Sequence, residues 1–412
     1  MTLELPGRHA SHPFFEVRDD HLMVDGRSIL EIAAQVGRTP FYLYVRRYMT
    51  TRVQTLREAL PPEIHLHYAI KANPMPAVVA HMSGLVDGLD VASGGEMQLA
   101  LDAGAAPERV SFAGPGKTDA ELARAAAAGI TVNIESEREI RLLAEIGRRT
   151  GRHPRIAVRV NPEFELKTSG MKMSGGPKQF GIDAEQVPEL LMQIGKLSVE
   201  FIGFHIFSGS QNLRAEAIVE SQQKAVELAS ELAAQAPAPV RLLNLGGGFG
   251  IPYFPGDQPL ELAPIGANLR ALLPDIRRRM PHADVTLELG RYLVGEAGVY
   301  VCRVIDRKQS RGHVFLVTDG GLHHHLAASG NFGQVIRKNY PLLIGNRVMG
   351  EARETVSVVG PLCTPLDMLA DRANLAIGDE GDLVVVLQSG AYGFTASPHL
   401  FLGHPAPVEV LV

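Results

Sequence analysis

A lysine at the end of a short apolar run is the first residue whose type and position suggest covalent chemistry. The run IHLHYAIKANP covers 64–74 and alternates, so that His65, His67, Ala69 and Lys71 share one side. In a barrel strand that side faces the interior, and barrel active sites form at the carboxyl ends of the strands. A buried amine suits Schiff-base chemistry, whereas a lysine reaching past the strand end into water would have no such role. The spacing alone leaves both roles open for Lys71.

Three successive glycines follow another apolar run and form a candidate phosphate loop. The segment NLGGGFGIPY covers 244–253 and contains Gly246, Gly247 and Gly248. Glycine permits unusual backbone angles and lets N–H groups approach a phosphate closely. The segment lacks the spaced G-x-G-x-x-G pattern, which weakens a dinucleotide interpretation. Because tight turns need glycine too, the motif indicates either a phosphate site or a turn.

A glutamate near the end of the run VTLELGRYLV (285–294) is predicted to point inward. A buried Glu288 carboxylate beside a cationic ring nitrogen would keep that nitrogen protonated. The alternative is a structural ion pair between Glu288 and Arg159, which has the same inward parity in its own run. Arg291 has two interpretations as well, pairing with a phosphate or with a structural carboxylate.

The run VEFIGFHIFSGSQ (199–211) gives a further set of inward candidates. His205 and Phe207 share the parity predicted for the barrel interior, and Ser210 offers a hydroxyl to an anion. A single inward histidine is more often a hydrogen-bonded core residue than a catalytic one. His205 is therefore a candidate that needs support from its neighbours.

Two loops near the carboxyl terminus carry the remaining candidates. Cys363 lies between prolines in GPLCTPLD (360–367), and Tyr392 lies between glycines in SGAYGFTAS (389–397). A loop cysteine is reactive when a positive neighbour lowers its pKa, although most lone cysteines simply pack. The histidines of LHHHL (322–326) are not predicted to bind metal, since adjacent histidines on a strand point to opposite faces. No metal site is expected.

The elements that must position these residues alternate between apolar runs and helical stretches. Helical composition is clearest at 118–128, 135–149 and 215–235. Eight repeated βα units over this length predict an α/β fold with a (β/α)8 TIM-type barrel, with an open doubly wound sheet as the alternative. The predicted strands are 64–70, 86–91, 109–113, 130–134, 155–160, 199–206, 240–245 and 284–289.

After residue 291 the pattern changes to strands separated by turns. Runs at 299–307, 313–320, 354–360 and 382–390 predict a C-terminal β-rich domain of sandwich or barrel type. The first 36 residues carry similar strand-like pieces. The predicted domains are therefore a barrel at 37–291 and a β domain made of 1–36 together with 292–412.

Composition narrows the class of protein. The 412 residues include 40 basic and 45 acidic side chains, a formal net charge of -5, so neither nucleic acid nor a membrane surface is an expected partner. The two cysteines, Cys302 and Cys363, are too few for a disulfide framework. No signal peptide or membrane-spanning run is visible in the sequence. These features predict a soluble cytoplasmic protein.

The order of the motifs resembles a known family. YAIKAN, LDVASGGE, HIFSGSQ, NLGGGFG, ELGRYLVG, GPLCTPLD and GAYG follow one another as in the fold-type III pyridoxal-phosphate decarboxylases, whose barrel is like that of alanine racemase. Diaminopimelate, ornithine and arginine decarboxylases are members. The resemblance runs from about residue 30 to the terminus. It implies a carboxy-lyase that binds pyridoxal 5'-phosphate, releases CO2 from an amino acid and acts as a homodimer.

The resemblance also implies residue roles. Lys71 would form the aldimine with the cofactor, and Glu288 would lie beside the pyridine nitrogen. Cys363 would protonate the quinonoid carbon, entering the site from the other subunit of a head-to-tail dimer. Asn73 and Asp90 would support the cofactor end. The positions that match phosphate ligands are Ser210, Gly246, Gly247, Gly248, Arg291 and Tyr392.

Departures from the family pattern bear on the substrate. His205 matches the first histidine of the pattern H-x-H-I-G-S-Q, and Phe207 stands where the second histidine stacks on the ring. Arg337, Thr364 and Asp367 match substrate-side or interface positions. Diaminopimelate enzymes have Glu and ornithine enzymes Asp after the cysteine, each recognising a distal amino group, so Thr364 weakens the case for both substrates.

Two motifs indicate a particular branch of the family. GPGK (114–117) and GPLCTPLD resemble enzymes of secondary-metabolite, siderophore or exopolysaccharide pathways, some of which act on modified or carrier-linked amino acids. The expected partners are an amino-acid substrate, a second copy of the chain and an acyl-carrier protein. A racemase is an alternative, although racemases meet the ring nitrogen with arginine rather than a carboxylate. A non-catalytic cofactor-binding homologue is another, against which the presence of Lys71 and Cys363 argues.

Overall fold

The computed structural model describes residues 2–3, 9–164, 171–172, 175–334, 336–350 and 352–412. The chain forms two compact units. The barrel unit comprises Val53–Gly250 and Leu260–Gly290, and the β unit comprises Met1–Arg52, Ile251–Pro259 and Arg291–Val412. The predicted domain limits, a barrel at 37–291 and a β domain made of 1–36 together with 292–412, stay a prediction.

Eight parallel strands close into a ring in the barrel unit. Each strand pairs with its neighbours along the chain, and the last pairs with the first through Val285–Leu289 and Ile64–Tyr68. The closed ring confirms the predicted barrel over an open sheet, because an open sheet would leave two unpaired edges. The strands are β1 Ile64–Ala69, β2 Gly88–Val91, β3 Val110–Phe112, β4 Thr131–Ile134, β5 Arg155–Asn161, β6 Glu200–Ile206, β7 Leu242–Gly247 and β8 Asp284–Leu289.

In the described ranges, a helix of eight or more residues follows each of the first seven barrel strands. Capping residues explain where several of these helices begin and end. In α3, Thr118 caps the first turn and Glu121 returns a bond to the Thr118 backbone, while Gly129 closes the helix at φ +82°. The Ser136 hydroxyl caps α4 by accepting a hydrogen bond from Glu139 N. The helices are α1 Pro76–Ser83, α2 Gly94–Asp102, α3 Asp119–Ala128, α4 Glu137–Thr150, α5 Val187–Ile194, α6 Ala215–Ala233 and α7 Ala263–Arg279.

Strand alternation sorts apolar from polar side chains in the barrel. Ile64, Leu66 and Tyr68 of β1 are buried at 1%, 0% and 0% exposure, and His67 lies on the opposite side. Gly88 is required beside this histidine, because a Cβ there would lie 2.4 Å from His67 Nε2. The glycine at the start of β2 therefore makes room for a polar side chain between strands.

The β unit consists mainly of antiparallel strands and confirms the predicted β-rich domain. Phe41–Tyr44, which is wholly buried, pairs with Gly298–Ser310 on one side and Val408–Leu411 on the other. The strand Met368–Ala376 was not predicted; its exposed Asp371 and Arg372 interrupt the apolar pattern. The strands are Thr2–Leu3, His12–Arg18, His21–Val24, Arg27–Ser28, Phe41–Tyr44, Gly298–Ser310, His313–Thr318, Leu342–Ile344, Arg353–Val359, Met368–Ala376, Leu383–Val386 and Val408–Leu411.

Further helices lie at Ile29–Val36, Arg46–Ala59 and Arg291–Val294, and short strands lie at Met171–Lys172, Ile182–Asp183 and Gly209–Ser210. Across the described ranges, no helix is long and apolar enough to cross a membrane.

Candidate active site

Lys71 lies just beyond the carboxyl end of β1. The strand ends at Ala69, and Lys71 sits in the short 3-10 turn Ile70–Ala72 with an exposed side chain. Because this turn takes Lys71 out of the strand alternation, strand parity does not determine where its side chain lies. Its positive charge favours the ionised forms of Glu96 and Glu288. Burial nevertheless raises the pKa of Glu96, whereas the pKa of Glu288 is lowered.

Glu288 lies near the end of β8 and meets His205 of β6. His205 Nε2 is 3.2 Å from Glu288 Oε2, and the two side chains are 2% and 9% exposed. Burial opposes ionisation of Glu288, but His205, Lys71 and Arg159 together outweigh it and hold the pKa well below its usual range. Glu288 is therefore an ionised carboxylate inside the barrel.

Arg159 is not the direct ion-pair partner that one interpretation of the sequence gave to Glu288. Its Nη1 donates to Glu135 Oε1 at 3.0 Å, and Glu135 also accepts from Gly114 N. Arg159 thus acts on Glu288 as a more distant charge. The structural alternative for Glu288, a simple pair with Arg159, is not what the barrel contains.

Glu288 and His205 retain unused bonding capacity. Within the described residues, Glu288 Oε2 and both ring nitrogens of His205 lack a well-aligned hydrogen-bond partner, although the two side chains approach closely. Buried polar atoms are costly when they are unsatisfied, so a native site usually supplies them with a ligand or water. The pair is suited to receive a polar or cationic ligand atom.

His67 and Asp90 extend the polar interior toward β2 and β3. His67 Nδ1 is 3.2 Å from Asp90 Oδ1, which also accepts a short bond from Ser111. Burial disfavours charge on His67, but Asp90 outweighs it and raises the histidine pKa. Strand parity placed His67 inward but gave it no role. The glycine opposite it, Gly88, was the feature of the sequence that could have indicated one.

The glycine segment adopts a conformation that other residues would strain. Gly246 and Gly248 have φ of +67° and +76°. A Cβ on Gly247 would lie 2.0 Å from Glu288 O, and one on Gly248 would lie 2.1 Å from Gly209 O. Gly246 N donates to Asn244 Oδ1 at 2.8 Å, so this amide is already committed. The segment is the irregular end of β7, where the pairing with β8 shifts register, and it brings backbone without side chains to this end of the barrel.

The candidate residues of the 199–211 run have different surroundings in the structure. Phe207 packs against Gly246, since a Cβ there would lie 2.5 Å from Phe207 Cδ2. Ser210 belongs to the short strand Gly209–Ser210, which pairs with Met171–Lys172. Ser208 is buried and lines a small cavity with Gly247 and Gly248. In the sequence, Ser208 and Ser210 both offer hydroxyls to an anion, and Ser208 is the one that lines this cavity.

In the β unit, Arg291 is held among tyrosines. Arg291 Nη1 donates to Tyr253 Oη at 2.9 Å, and its guanidinium carbon lies 4.5 Å from the ring centre of Tyr392. Tyr392 has a φ of +54°, which is unusual for a side chain of this size. Tyr253 was missed, although it follows the glycine segment directly in the sequence.

The loop 360–367 exposes Cys363 and is shaped by Asp367. The Asp367 carboxylate accepts Leu322 N at 2.6 Å and Leu362 N at 2.8 Å. Burial raises its pKa against these bonds. Thr364 is partly exposed beside the exposed cysteine. Asp367 thus supports the loop from within, whereas Cys363 and Thr364 lie at its surface.

Arg337, another predicted substrate-side residue, is tied to the strand that follows this loop. Its guanidinium donates a short bond to Met368 O, and burial lowers its pKa. The Arg337 side chain therefore contacts the backbone of the residue that follows Asp367.

The three adjacent histidines do not lie on a strand, so the reason given for rejecting a metal there was wrong. They lie in turns of 322–330, and the rings of His323 and His324 are 3.6 Å apart. Burial lowers the pKa of His323 to about 4 and of His324 to about 3. In the ranges that the structure describes, no group of three or more His, Cys, Asp or Glu side chains could hold a metal ion.

The fold and these residues define a class. A closed parallel barrel with a lysine after its first strand and an ionised carboxylate on its last has the arrangement of a barrel enzyme, whose active site lies at the strand carboxyl ends. The family described as pyridoxal-dependent decarboxylase, pyridoxal binding domain, matches residues 46–295.

Individual relatives agree with the family match. The L-glutamyl-[BtrI acyl-carrier protein] decarboxylase of Niallia circulans is 38% identical over 92% of this chain and 91% of its own. The diaminopimelate decarboxylase of Aquifex aeolicus is 35% identical over 97% and 93%. The solved structure of AQ1208 from Aquifex aeolicus has a TM-score of 0.85, with 32% identity, over 97% of this chain and 92% of that one. The chain belongs to the pyridoxal-dependent decarboxylase family and is a carboxy-lyase that uses pyridoxal phosphate.

Proposed function

We propose that this enzyme removes the α-carboxylate of a modified amino acid whose acyl group is carried by a carrier protein. The observation that carries the proposal is Thr364, a neutral residue beside Cys363 on the exposed loop. A distal ammonium group in the substrate would lack a carboxylate partner at this position. The similarity to a decarboxylase of a carrier-bound glutamyl group supports the same substrate class.

The residues of the barrel unit fit the cofactor. Lys71 supplies the amine that holds it covalently, and the glycine segment supplies backbone without side chains for the phosphate. Since Gly246 N is committed to Asn244, we assign the phosphate contacts to the backbone that follows it. Arg291, Tyr392 and Ser210 keep the phosphate roles implied by the family resemblance as proposals.

Glu288 has the main electrostatic role. When bound, pyridoxal phosphate provides an aromatic ring that accepts the electron pair left by CO2. Glu288 keeps a proton on the ring nitrogen, which it can do because it remains ionised and has an unused oxygen lone pair. Each unit by which a carboxylate raises the pKa of that nitrogen is worth about 1.4 kcal/mol. His205 holds Glu288 in place from the neighbouring side.

Cys363 is proposed as the acid that returns a proton to the substrate carbon. Its thiol is exposed on a loop whose shape Asp367 fixes, so it is free to enter a second copy of the chain. The working form would then be a homodimer in which each barrel receives the partner's cysteine loop. General acid catalysis of this kind contributes roughly 100- to 10,000-fold to the reaction rate.

A cytoplasmic location is supported by the two cysteines, which are both free thiols.

Release of CO2 from matched substrates tests the substrate proposal. The panel contains a glutamyl group on a carrier protein, free glutamate, meso-diaminopimelate, lysine and ornithine. We expect the carrier-linked compound to be preferred by at least about 100-fold in kcat/KM. Thr364→Glu should shift the preference toward the amino acids with a distal ammonium. Strong activity of the unaltered enzyme on meso-diaminopimelate would refute the proposal.

A further inference from the structure

A small polar cavity lies behind the glycine segment. Its lining includes Ser208, Asn212, Ser221 and Gln222 together with Gly247, and its internal space is about 10 Å³. A space of about 10–15 Å³ is what one water molecule needs. The cavity therefore has room for a single water and not for a phosphate.

Two amide groups point their donors into this cavity, and the surrounding bonds fix their orientation. Gln222 Oε1 accepts from Asn268 Nδ2 at 2.9 Å, and Asn268 Oδ1 accepts from Gln223 Nε2 at 3.0 Å. Asn212 Oδ1 accepts from Arg214 N at 2.9 Å. Because both oxygens are engaged, the NH2 groups of Gln222 and Asn212 are the ends left for the cavity.

Neither NH2 group has an aligned partner among the residues described, although the side chains are only 3% and 1% exposed. An unsatisfied buried donor costs about 1–3 kcal/mol, so two at one cavity require an acceptor. Two donors exclude a metal cation. A water oxygen accepts both bonds, and its hydrogens can reach the hydroxyls of Ser208 and Ser221, which line the same space.

The cavity is coupled to the glycine segment through Asn212. Asn212 N donates to Gly248 O at 2.9 Å, and Gly250 N donates to Asn212 O at 2.8 Å. Gln222 lies on α6, and Asn268 of α7 donates a hydrogen bond to it. The amide chain Gln223–Asn268–Gln222 thus joins two helices and ends at the cavity that Gly247 and Gly248 also line.

We infer that Asn212 and Gln222 bind one buried water that positions the glycine segment for the cofactor phosphate, with Gln222 as a positioning residue. The inference rests on the proposed phosphate role of this segment. It places behind the glycine segment a water that the cofactor does not touch. Loss of the water should loosen the segment and weaken cofactor binding.

A high-resolution crystal structure of the unaltered protein gives the first test. We expect one water within about 2.7–3.2 Å of both Gln222 Nε2 and Asn212 Nδ2. An empty cavity, an ion in this place, or amides turned to other partners would overturn the inference. This result does not depend on any variant folding or on the substrate.

A pair of neighbouring variants tests the effect on the cofactor. Gln222→Met keeps the volume but removes the donor, whereas Gln223→Met removes one bond of the same chain without reaching the cavity. We expect Gln222→Met to raise the dissociation constant for pyridoxal phosphate about tenfold, the equivalent of one net hydrogen bond, and Gln223→Met to leave it near the original value.

The variants should separate affinity from turnover. In Gln222→Met the cofactor concentration for half-saturation should rise while kcat at saturation falls far less, a split that general destabilisation would not produce. Equal cofactor affinity in the two variants would overturn the positioning role. Failure of the unaltered protein to bind pyridoxal phosphate at all would instead refute the proposed function.

Discussion

At the scale of single residues, His205, Lys71 and Arg159 keep the buried carboxylate of Glu288 ionised. Strand parity was enough to place Glu288 and His205 on the interior side of the barrel. It could not show that they approach to 3.2 Å, or that Arg159 pairs with Glu135 instead. These outcomes depend on which side chains of different strands share a level, and that is set by the stagger of the closed barrel.

Glu288 gives a prediction about pH. Its pKa is lowered by folding, so the carboxylate contributes stability above about pH 4.5 that is lost as the pH falls and the unfolded chain takes up the proton first. The thermal midpoint of the unaltered protein, relative to that of Glu288→Gln, should therefore decrease between pH 7 and pH 4. Glu288→Gln should also lower kcat by about 100-fold or more.

Glu200→Gln is the matched control for this experiment, because Glu200 lies on the strand that carries His205 but pairs with Arg241 near the surface. Its midpoint difference should vary little with pH. If the Glu288→Gln difference is the same at both pH values, Glu288 is not held ionised by its surroundings.

At the scale of elements, local patterns predicted strands well and the turns at their ends poorly. The eight runs of the barrel were visible because apolar residues alternate or cluster over short stretches. The sequence left the burial of Lys71 open, because a 3-10 turn separates it from β1 and a turn of three residues leaves no periodic pattern. Phe41–Tyr44 pairs with strands far along the chain, a contact that composition does not record.

The glycine segment gives the prediction for this scale. Gly247→Ala would place a Cβ 2.0 Å from Glu288 O, between two paired strands. The strands must separate, so we expect a loss of about 1–3 kcal/mol in unfolding free energy together with weaker cofactor binding. Gly116→Ala, where nothing lies within 4 Å of the added atom, is the control. Urea unfolding and cofactor titration of both variants measure the effect. A Gly247→Ala protein as stable as Gly116→Ala would show that the strands tolerate the group.

At the scale of the whole molecule, the two proposed catalytic side chains belong to different compact units of the chain. Lys71 belongs to the barrel unit and Cys363 to the β unit. The family resemblance pairs each lysine with the partner's cysteine. Sequence reasoning reached this arrangement only through that resemblance, since composition and periodicity carry no information on which copy supplies a loop.

Mixing two inactive variants tests the shared site. Lys71→Ala and Cys363→Ala subunits, mixed in equal amounts and allowed to exchange, form half their dimers as hybrids, each with one intact site. Activity should therefore recover to about a quarter of the original value. Each variant alone, incubated in the same way, is the control. No recovery, with hybrid dimers shown to be present, would place the cysteine in the barrel of its own subunit.

The covalent position of the cofactor tests the central claim most directly. Protein reconstituted with pyridoxal phosphate is reduced with borohydride and digested, and the masses of its peptides are measured by mass spectrometry. We predict a stable cofactor adduct on the peptide that contains Lys71, and no adduct there in Lys71→Ala. An adduct on a different lysine of the unaltered protein, or none on any, would contradict it.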